Sequence, residues 1–321
     1  MTYEGMLAET VAFVGHRDDA GEAYYARPLG AGPWPGVVLI HHMPGWDEWI
    51  KEATRKLAYH GFATISPHLY FREGPGSPDD VGARVRAAGG VPDEQVVGDV
   101  KGCMEFLRAQ PYANGKVGVI GFCSGGRHTY LAACTLADID AAVDCWGGNV
   151  IVDDKSQLNA KRPLAPIDLS EKLRCPLLGL FGNDDENPNR DQVNRTEAVL
   201  RKLGKTYEFH RYDGAGHAFF NAARVAYRPE QGARRLEQGI RILQQASRPG
   251  GRNARSLSQK RRPACAHISS RKRSSWAAPR DRTDGCASTP PTSITTILSI
   301  RRSIMPSASI SSMRRRGAAN G

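Results

Sequence analysis

The chain has 321 residues, 40% hydrophobic and 24% charged, which is enough apolar side chain for a sizeable core, and its formal net charge is +11. Of the 44 Lys and Arg and the 33 Asp and Glu, 16 and 2 fall at 248–321, leaving 28 and 31 at 1–247 and a net charge of −3 there. The basic character therefore belongs to the tail, and the body offers no electrostatic case for a nucleic-acid partner.

The first periodic stretch, TVAFVGHRDDAGEAYYARP at 10–28, alternates around Asp18-Asp19-Ala20-Gly21 and predicts a β-hairpin. GVVLIHH at 36–42 is a short apolar run bounded by Pro and Gly, as a buried parallel strand requires. A helix follows from Asp47 to about His60, with Asp47 as N-cap and Ile50, Ala53, Leu57 and Ala58 on one face. GFATISPHLY at 61–70 predicts the next strand. Pro92 opens a helix over 93–109, with an apolar stripe of Val96, Val97, Val100, Met104 and Leu107.

Beyond it the pattern continues with a strand at 116–121, a helix at 124–135, strands in DAAVDCWGG and CPLLGLFGN, and a helix at 189–203. The strand TYEFHRYDG and a final helix near 229–246 close the series. Such alternation predicts an α/β fold with a mostly parallel central sheet flanked by helices on both faces. We place that domain at 1–247. From 248 to 321 periodicity stops, Arg, Ser, Pro, Ala and Thr dominate, and Trp276 is the one aromatic residue. Too little apolar surface is left there to offset the entropy of ordering, so a disordered C-terminal extension is expected. Its clusters KRR, RKR and RRR have the composition that holds polyanions, so a nucleic-acid-binding reading rests on the tail alone.

No run reaches the eighteen or so apolar residues of a membrane span, and MTYEGMLAETV has neither the basic nor the apolar region of a secretory leader. The expectation is a cytoplasmic protein with no membrane partner. The 7 cysteines contain no C-x-x-C pair, and the odd count argues against a disulfide framework. His41-His42 stands without a second ligand cluster, so no metal is expected, and no motif calls for a cofactor. His16, His60, His128 and His210 are read as surface or strand-face residues, and His267 lies in the tail.

One cysteine needs its own account. Gly121-Phe122-Cys123-Ser124-Gly125 is the G-x-S-x-G pattern with sulfur in place of the serine oxygen, at a strand end that runs into a helix. In that turn the central residue takes strained backbone angles, and small residues two before and two after relieve the crowding. Ser124 is out of register as a nucleophile, because bulky Phe122 stands two residues before it. At a helix N-terminus Cys123 also gains the dipole and free N–H groups that favour a thiolate. In chain order nucleophile–acid–histidine, GLFGNDDENP offers Asp184, Asp185 or Glu186 as the acid, and YDGAGHAFF offers His217 as the base.

These three segments resemble the dienelactone hydrolase family, α/β-hydrolases with a Cys-Asp-His triad, and the likeness runs from about residue 9 to 228. The resemblance implies Cys123 as nucleophile, Asp185 as acid and His217 as base, with the backbone N–H groups of Met43 and Ser124 as oxyanion hole. It further implies hydrolysis of a small-molecule ester or lactone through a thioester, without cofactor. A general carboxylesterase or thioesterase on the same triad is the second reading. The chain departs from the family pattern at two places. His42 replaces a glutamate that contacts the resting thiol, so either His42 makes that contact or the sulfur is held differently. Asn221 replaces an arginine that binds the substrate carboxylate, which leaves Arg84 or Arg86 to hold an anion.

Overall fold

The computed structural model describes residues 5–221, 240, 241 and 243–245. The chain opens with β1 (Met6–Val14) and β2 (Ala20–Pro28), which pair antiparallel and turn through residues 15–19. Then come β3 (Trp34–Ile40), α1 (Glu48–Tyr59), β4 (Ala63–Pro67), α2 (Pro78–Ala87), α3 (Asp93–Arg108), β5 (Ala113–Phe122) and α4 (Ser124–Thr135). The series ends with β6 (Ala141–Cys145), β7 (Leu177–Gly182), α5 (Arg190–Lys202) and β8 (Tyr207–Tyr212). One 8-stranded sheet takes the order β1-β2-β4-β3-β5-β6-β7-β8. From β4 to β8 every pairing is parallel, and among the described strands β2 alone runs against the rest, antiparallel to both β1 and β4.

Alternation along each central strand sends side chains to two separate cores. Val38 and Ile40 of β3, with Val117 and Val119 of β5, meet Val96, Val100, Met104 and Leu107 of α3 and Tyr130 of α4. Val37 and Leu39, with Ile120, Phe122, Val143 and Leu180, meet Ile50, Ala53 and Leu57 of α1 and the helical residues Ile240 and Leu243. Burial on both faces explains why β3 and β7 read as unbroken apolar runs rather than alternating ones. The predicted mostly parallel sheet with helices on both faces is the observed one.

Element boundaries follow the sequence reading closely, with two differences. The strand expected at 61–70 is β4, only Ala63–Pro67, because the chain then turns to bring Leu69 and Tyr70 against His41, just past the end of β3. Helix α2 was not anticipated. It starts at Pro78 behind Ser77, whose hydroxyl accepts from the Asp80 N–H, and buries only Val81, Gly82 and Val85, too short a stripe to show in a periodicity. Asp47 caps α1 as expected, its Oδ1 accepting from the Ile50 N–H at 3.0 Å. The 247/248 boundary and the extension lie outside the described residues, as do most of residues 229–246, where the last helix is expected; 240, 241 and 243–245 are helical.

Candidate active site

Cys123 sits between β5 and α4 with φ 56 and ψ −119, a conformation that L-residues rarely adopt and that the surrounding turn has to impose. Its frame is set by two glycines. A Cβ on Gly121 would stand 2.1 Å from the Gly125 carbonyl oxygen, and one on Gly125 would stand 2.2 Å from the Ile40 carbonyl oxygen. The Cys123 N–H donates to the Cys145 carbonyl at 3.0 Å, and the Cys123 carbonyl accepts the Gly126 N–H at 2.9 Å, so the turn is tied to β6 and into the first turn of α4.

The loops after β7 and β8 are joined by backbone bonds, Asn183 N–H to the Tyr212 carbonyl at 2.8 Å and Asp184 N–H to that of Ala215 at 2.9 Å. This pairing delivers Asp185 to His217. Asp185 is buried, its Oδ1 accepts the Asn187 N–H at 2.9 Å, and its Oδ2 accepts from Nδ1 of His217 at 2.8 Å. The neighbouring candidates point elsewhere: Asp184 is exposed and 3.6 Å from Arg190, and Glu186 is exposed. With Nδ1 held by Asp185, the other ring nitrogen of His217 is left for Cys123, with which the imidazole is electrostatically coupled.

Three groups lower the Cys123 thiol, the His217 ring and the backbone N–H groups of Ser124 and Met43. Burial disfavours the Cys123 thiolate, but these donors outweigh burial and hold the thiol below its ordinary value. Burial likewise disfavours the His217 imidazolium, yet the bonds to Asp185 and Cys123 raise it from 6.5 to about 10. Both shifts favour a thiolate beside an imidazolium at neutral pH. Among the described residues the other four cysteines behave oppositely. Burial pushes Cys134 and Cys175 up to about 12 and raises Cys103 and Cys145 as well.

The remaining predicted site residues divide. The His42 imidazole is buried and donates from Nε2 to Asp47 Oδ2 at 2.8 Å, so of the two alternatives for the resting sulfur the second describes this chain. Arg84, exposed on α2, donates from Nη2 to the carbonyls of Glu73 and Pro75, each at 3.2 Å. Arg86 is exposed on α2, and its charge reaches Tyr70, as do those of Arg162 and Cys123. Asn221 is 2% exposed, with its N–H on the Ala218 carbonyl at 2.9 Å. His128, read as a surface or strand-face residue, lies instead on α4 at 4% exposure, because the whole first half of that helix is covered.

Sequence reasoning did not find Tyr70, whose hydroxyl donates to the Met43 carbonyl at 3.1 Å, nor the aromatic residues packed on the same core as Cys123. Trp49 and Phe220 are half-buried with Cys123, and their rings meet Phe122 at 4.7 Å and Trp146 at 5.1 Å between centroids. Single aromatics spread over distant loops leave no local pattern; only the fold gathers them.

Residues 22–247 match the model of the dienelactone hydrolase family. The chain belongs to that family. Among its relatives is a Methylorubrum extorquens protein named "Putative carboxymethylenebutenolidase", 33% identical over 231 residues, which cover 70% of this chain and 77% of the relative. A Bradyrhizobium protein named "Probable 2-oxo-3-(5-oxofuran-2-ylidene)propanoate lactonase" is 28% identical over 229 residues, covering 70% of this chain and 90% of the relative. The crystal structure of a "Putative Dienelactone Hydrolase" from Klebsiella pneumoniae superposes with a TM-score of 0.69 at 29% identity, over 75% of this chain and 100% of that one. As a member of the dienelactone hydrolase family the chain is an α/β-hydrolase-fold ester or lactone hydrolase.

Proposed function

We propose that this hydrolase cleaves a carboxylic ester or lactone through a thioester on Cys123, with His217 and Asp185 completing the triad. The observation that carries the reading is the 2.8 Å bond of buried Asp185 to Nδ1 of His217, an imidazole that, with the N–H groups of Met43 and Ser124, lowers the thiol of Cys123 at the strained turn.

The thiolate attacks the carbonyl carbon, and the carbonyl oxygen takes the electron pair as an oxyanion between the Met43 and Ser124 N–H groups. Collapse breaks the C–O bond, and the leaving oxygen takes the proton from the ring nitrogen of His217 that faces the sulfur. Water then attacks the thioester and gives its proton to the same nitrogen, and the second collapse expels the thiolate with the acid as product. Asp185 keeps Nδ1 protonated throughout and stabilises the imidazolium. With a lactone the leaving oxygen stays tethered to the acyl group, so one molecule of hydroxy acid or its keto form is released.

The half-buried rings of Trp49 and Phe220, packed on the same core as Cys123, suit a planar, conjugated acyl group, and the charge of Arg86 near Tyr70 suits a carboxylate on it. The lactonase named among the relatives acts on a compound of that kind, which supports a carboxylate-bearing unsaturated lactone as substrate. The test is mass spectrometry of protein quenched during turnover of such a lactone and of an acyclic activated ester. The expected result is an acyl adduct on Cys123 that forms and decays at rates matching turnover. Turnover of both substrates by Cys123→Ala at the wild-type rate would overturn the reading.

A further inference from the structure

Among the buried polar groups that the reaction does not use, His41 makes the most specific contacts. It ends the run of β3, is 1% exposed, and lies edge-on to the Tyr70 ring at 4.6 Å between centroids. Its two ring nitrogens have unlike partners. The Leu69 N–H points at Nε2 at 3.2 Å, so Nε2 must be an unprotonated acceptor. The ring proton is therefore on Nδ1, which lies 2.8 Å from the His42 carbonyl oxygen and donates to it. An imidazolium would set N–H against N–H at Leu69, and burial opposes it too, lowering His41 from 6.5 to about 3.

The acceptor is what matters. The His42 carbonyl and the Met43 N–H belong to one peptide unit, which is planar and trans, so fixing the carbonyl fixes the direction of the N–H on its far side. That N–H is among the groups that lower the Cys123 thiol. The same carbonyl also accepts the Gly45 N–H at 2.9 Å, and the Tyr70 hydroxyl holds the next carbonyl, that of Met43. Helix α2 closes the loop from behind: a Cβ on Gly82 would stand 2.8 Å from the Met43 oxygen. Two donors on a carbonyl polarise its peptide, and hydrogen bonds in such a chain strengthen one another.

We propose that His41 is a positioning residue for the oxyanion hole: its Nδ1–H clamps the His42–Met43 peptide so that the Met43 N–H stays aimed at the oxygen that becomes negative. The inference rests on the thioester reading for what that oxygen is, and the neutral Nδ1–H tautomer is its requirement. His41 touches neither sulfur nor substrate and acts only through the peptide.

Three measurements test it. Steady-state kinetics on p-nitrophenyl acetate compare wild type with His41→Phe, which keeps a buried ring and loses both nitrogens, and His41→Asn, whose amide N–H takes the place of Nδ1–H. Deleting an oxyanion donor outright costs roughly a hundredfold to a thousandfold in kcat, so losing only its alignment is expected to cost about tenfold to a hundredfold. We expect that loss in His41→Phe, with KM within about twofold, and recovery of most of it in His41→Asn. Alkylation of Cys123 by iodoacetamide, followed by mass mapping against pH, should show a higher midpoint in His41→Phe, since the Met43 N–H also supports the thiolate. Nitrogen-15 NMR of histidine-labelled wild type should show His41 protonated at Nδ1 and unprotonated at Nε2, a readout that needs no variant to fold. An unchanged kcat in folded His41→Phe, equal damage in both variants, or the proton on Nε2 would overturn the proposal. Loss of the acyl adduct on Cys123 in wild type would instead overturn the thioester reading.

Discussion

The carboxylate of Asp93, in the first turn of α3, grips the guanidinium of Arg127, in the first turn of α4, through two hydrogen bonds of 2.6 and 3.0 Å. Both groups are buried, Arg127 at 2% exposure and Asp93 at 8%. Arg127 stands one turn beyond Cys123, so the pair fixes the helix that starts directly after Cys123. Removing one partner of a buried pair strands the other charge, which costs about 3–5 kcal/mol. Asp93→Ala is expected to lower unfolding stability by that amount in a urea titration, and a variant as stable as wild type would show that Arg127 finds another partner.

Asp185 and Asp184 are adjacent, yet one faces His217 and the other faces Arg190. Asp185→Asn should lower kcat by about a hundredfold or more, through loss of the tautomer and of imidazolium stabilisation, whereas Asp184→Asn should stay within about twofold. The reverse order of the two variants would move the acid by one position.

The same carboxylate governs the pH at which the sulfur reacts. Cys123 is held below its ordinary value, largely by its bond to His217 once burial is overcome, and His217 is raised to about 10. Alkylation of Cys123 is therefore expected to persist at neutral pH and to fall as pH drops through the lowered thiol value, where the thiolate takes up a proton. In Asp185→Asn the imidazolium loses its partner, its own value falls, and the thiol value rises. The alkylation midpoint moves to higher pH; a midpoint unchanged or shifted downward would contradict that linkage.

Cys123→Ser keeps the turn but replaces a thiolate with a hydroxyl that ionises only as His217 takes its proton. We expect kcat on an activated ester to drop by about a hundredfold or more. Comparable kcat values for serine and cysteine would mean that a preformed anion contributes nothing.

Arg86 is exposed on α2 within electrostatic reach of Tyr70, and Tyr70 in turn senses Cys123. Arg86→Ala should raise KM about tenfold, or about 1.4 kcal/mol, for a lactone carrying a carboxylate and leave a neutral ester unchanged. Equal effects on the two substrates would remove Arg86 from anion recognition.

Much of this was legible because the central strands are covered on both faces and so spell themselves out as apolar runs, and because a nucleophile turn needs glycines at fixed offsets. Cys123 could be picked from 7 cysteines on the identity of its neighbours alone. The choice among Asp184, Asp185 and Glu186 was different in kind: it depends on which side chain the joined β7 and β8 loops turn inward, and that pairing spans thirty or so residues of sequence. Helix α2 stayed hidden for want of a stripe, and with it the backing of Met43. His42 carries the same lesson at smaller scale, since its partner Asp47 looked fully occupied as the cap of α1, yet its second oxygen was available.

At Gly121 and Gly125 the atom that a methyl group would strike hardest is a main-chain oxygen, that of Gly125 and of Ile40 respectively. A crowded side chain can swing aside or be shortened by a compensating mutation, but a main-chain oxygen is common to every sequence that keeps the turn. Variation around the reacting atom is thereby channelled: the central residue can exchange sulfur for oxygen, and the loops that choose the substrate can drift, while the two hydrogens on either side must remain hydrogens.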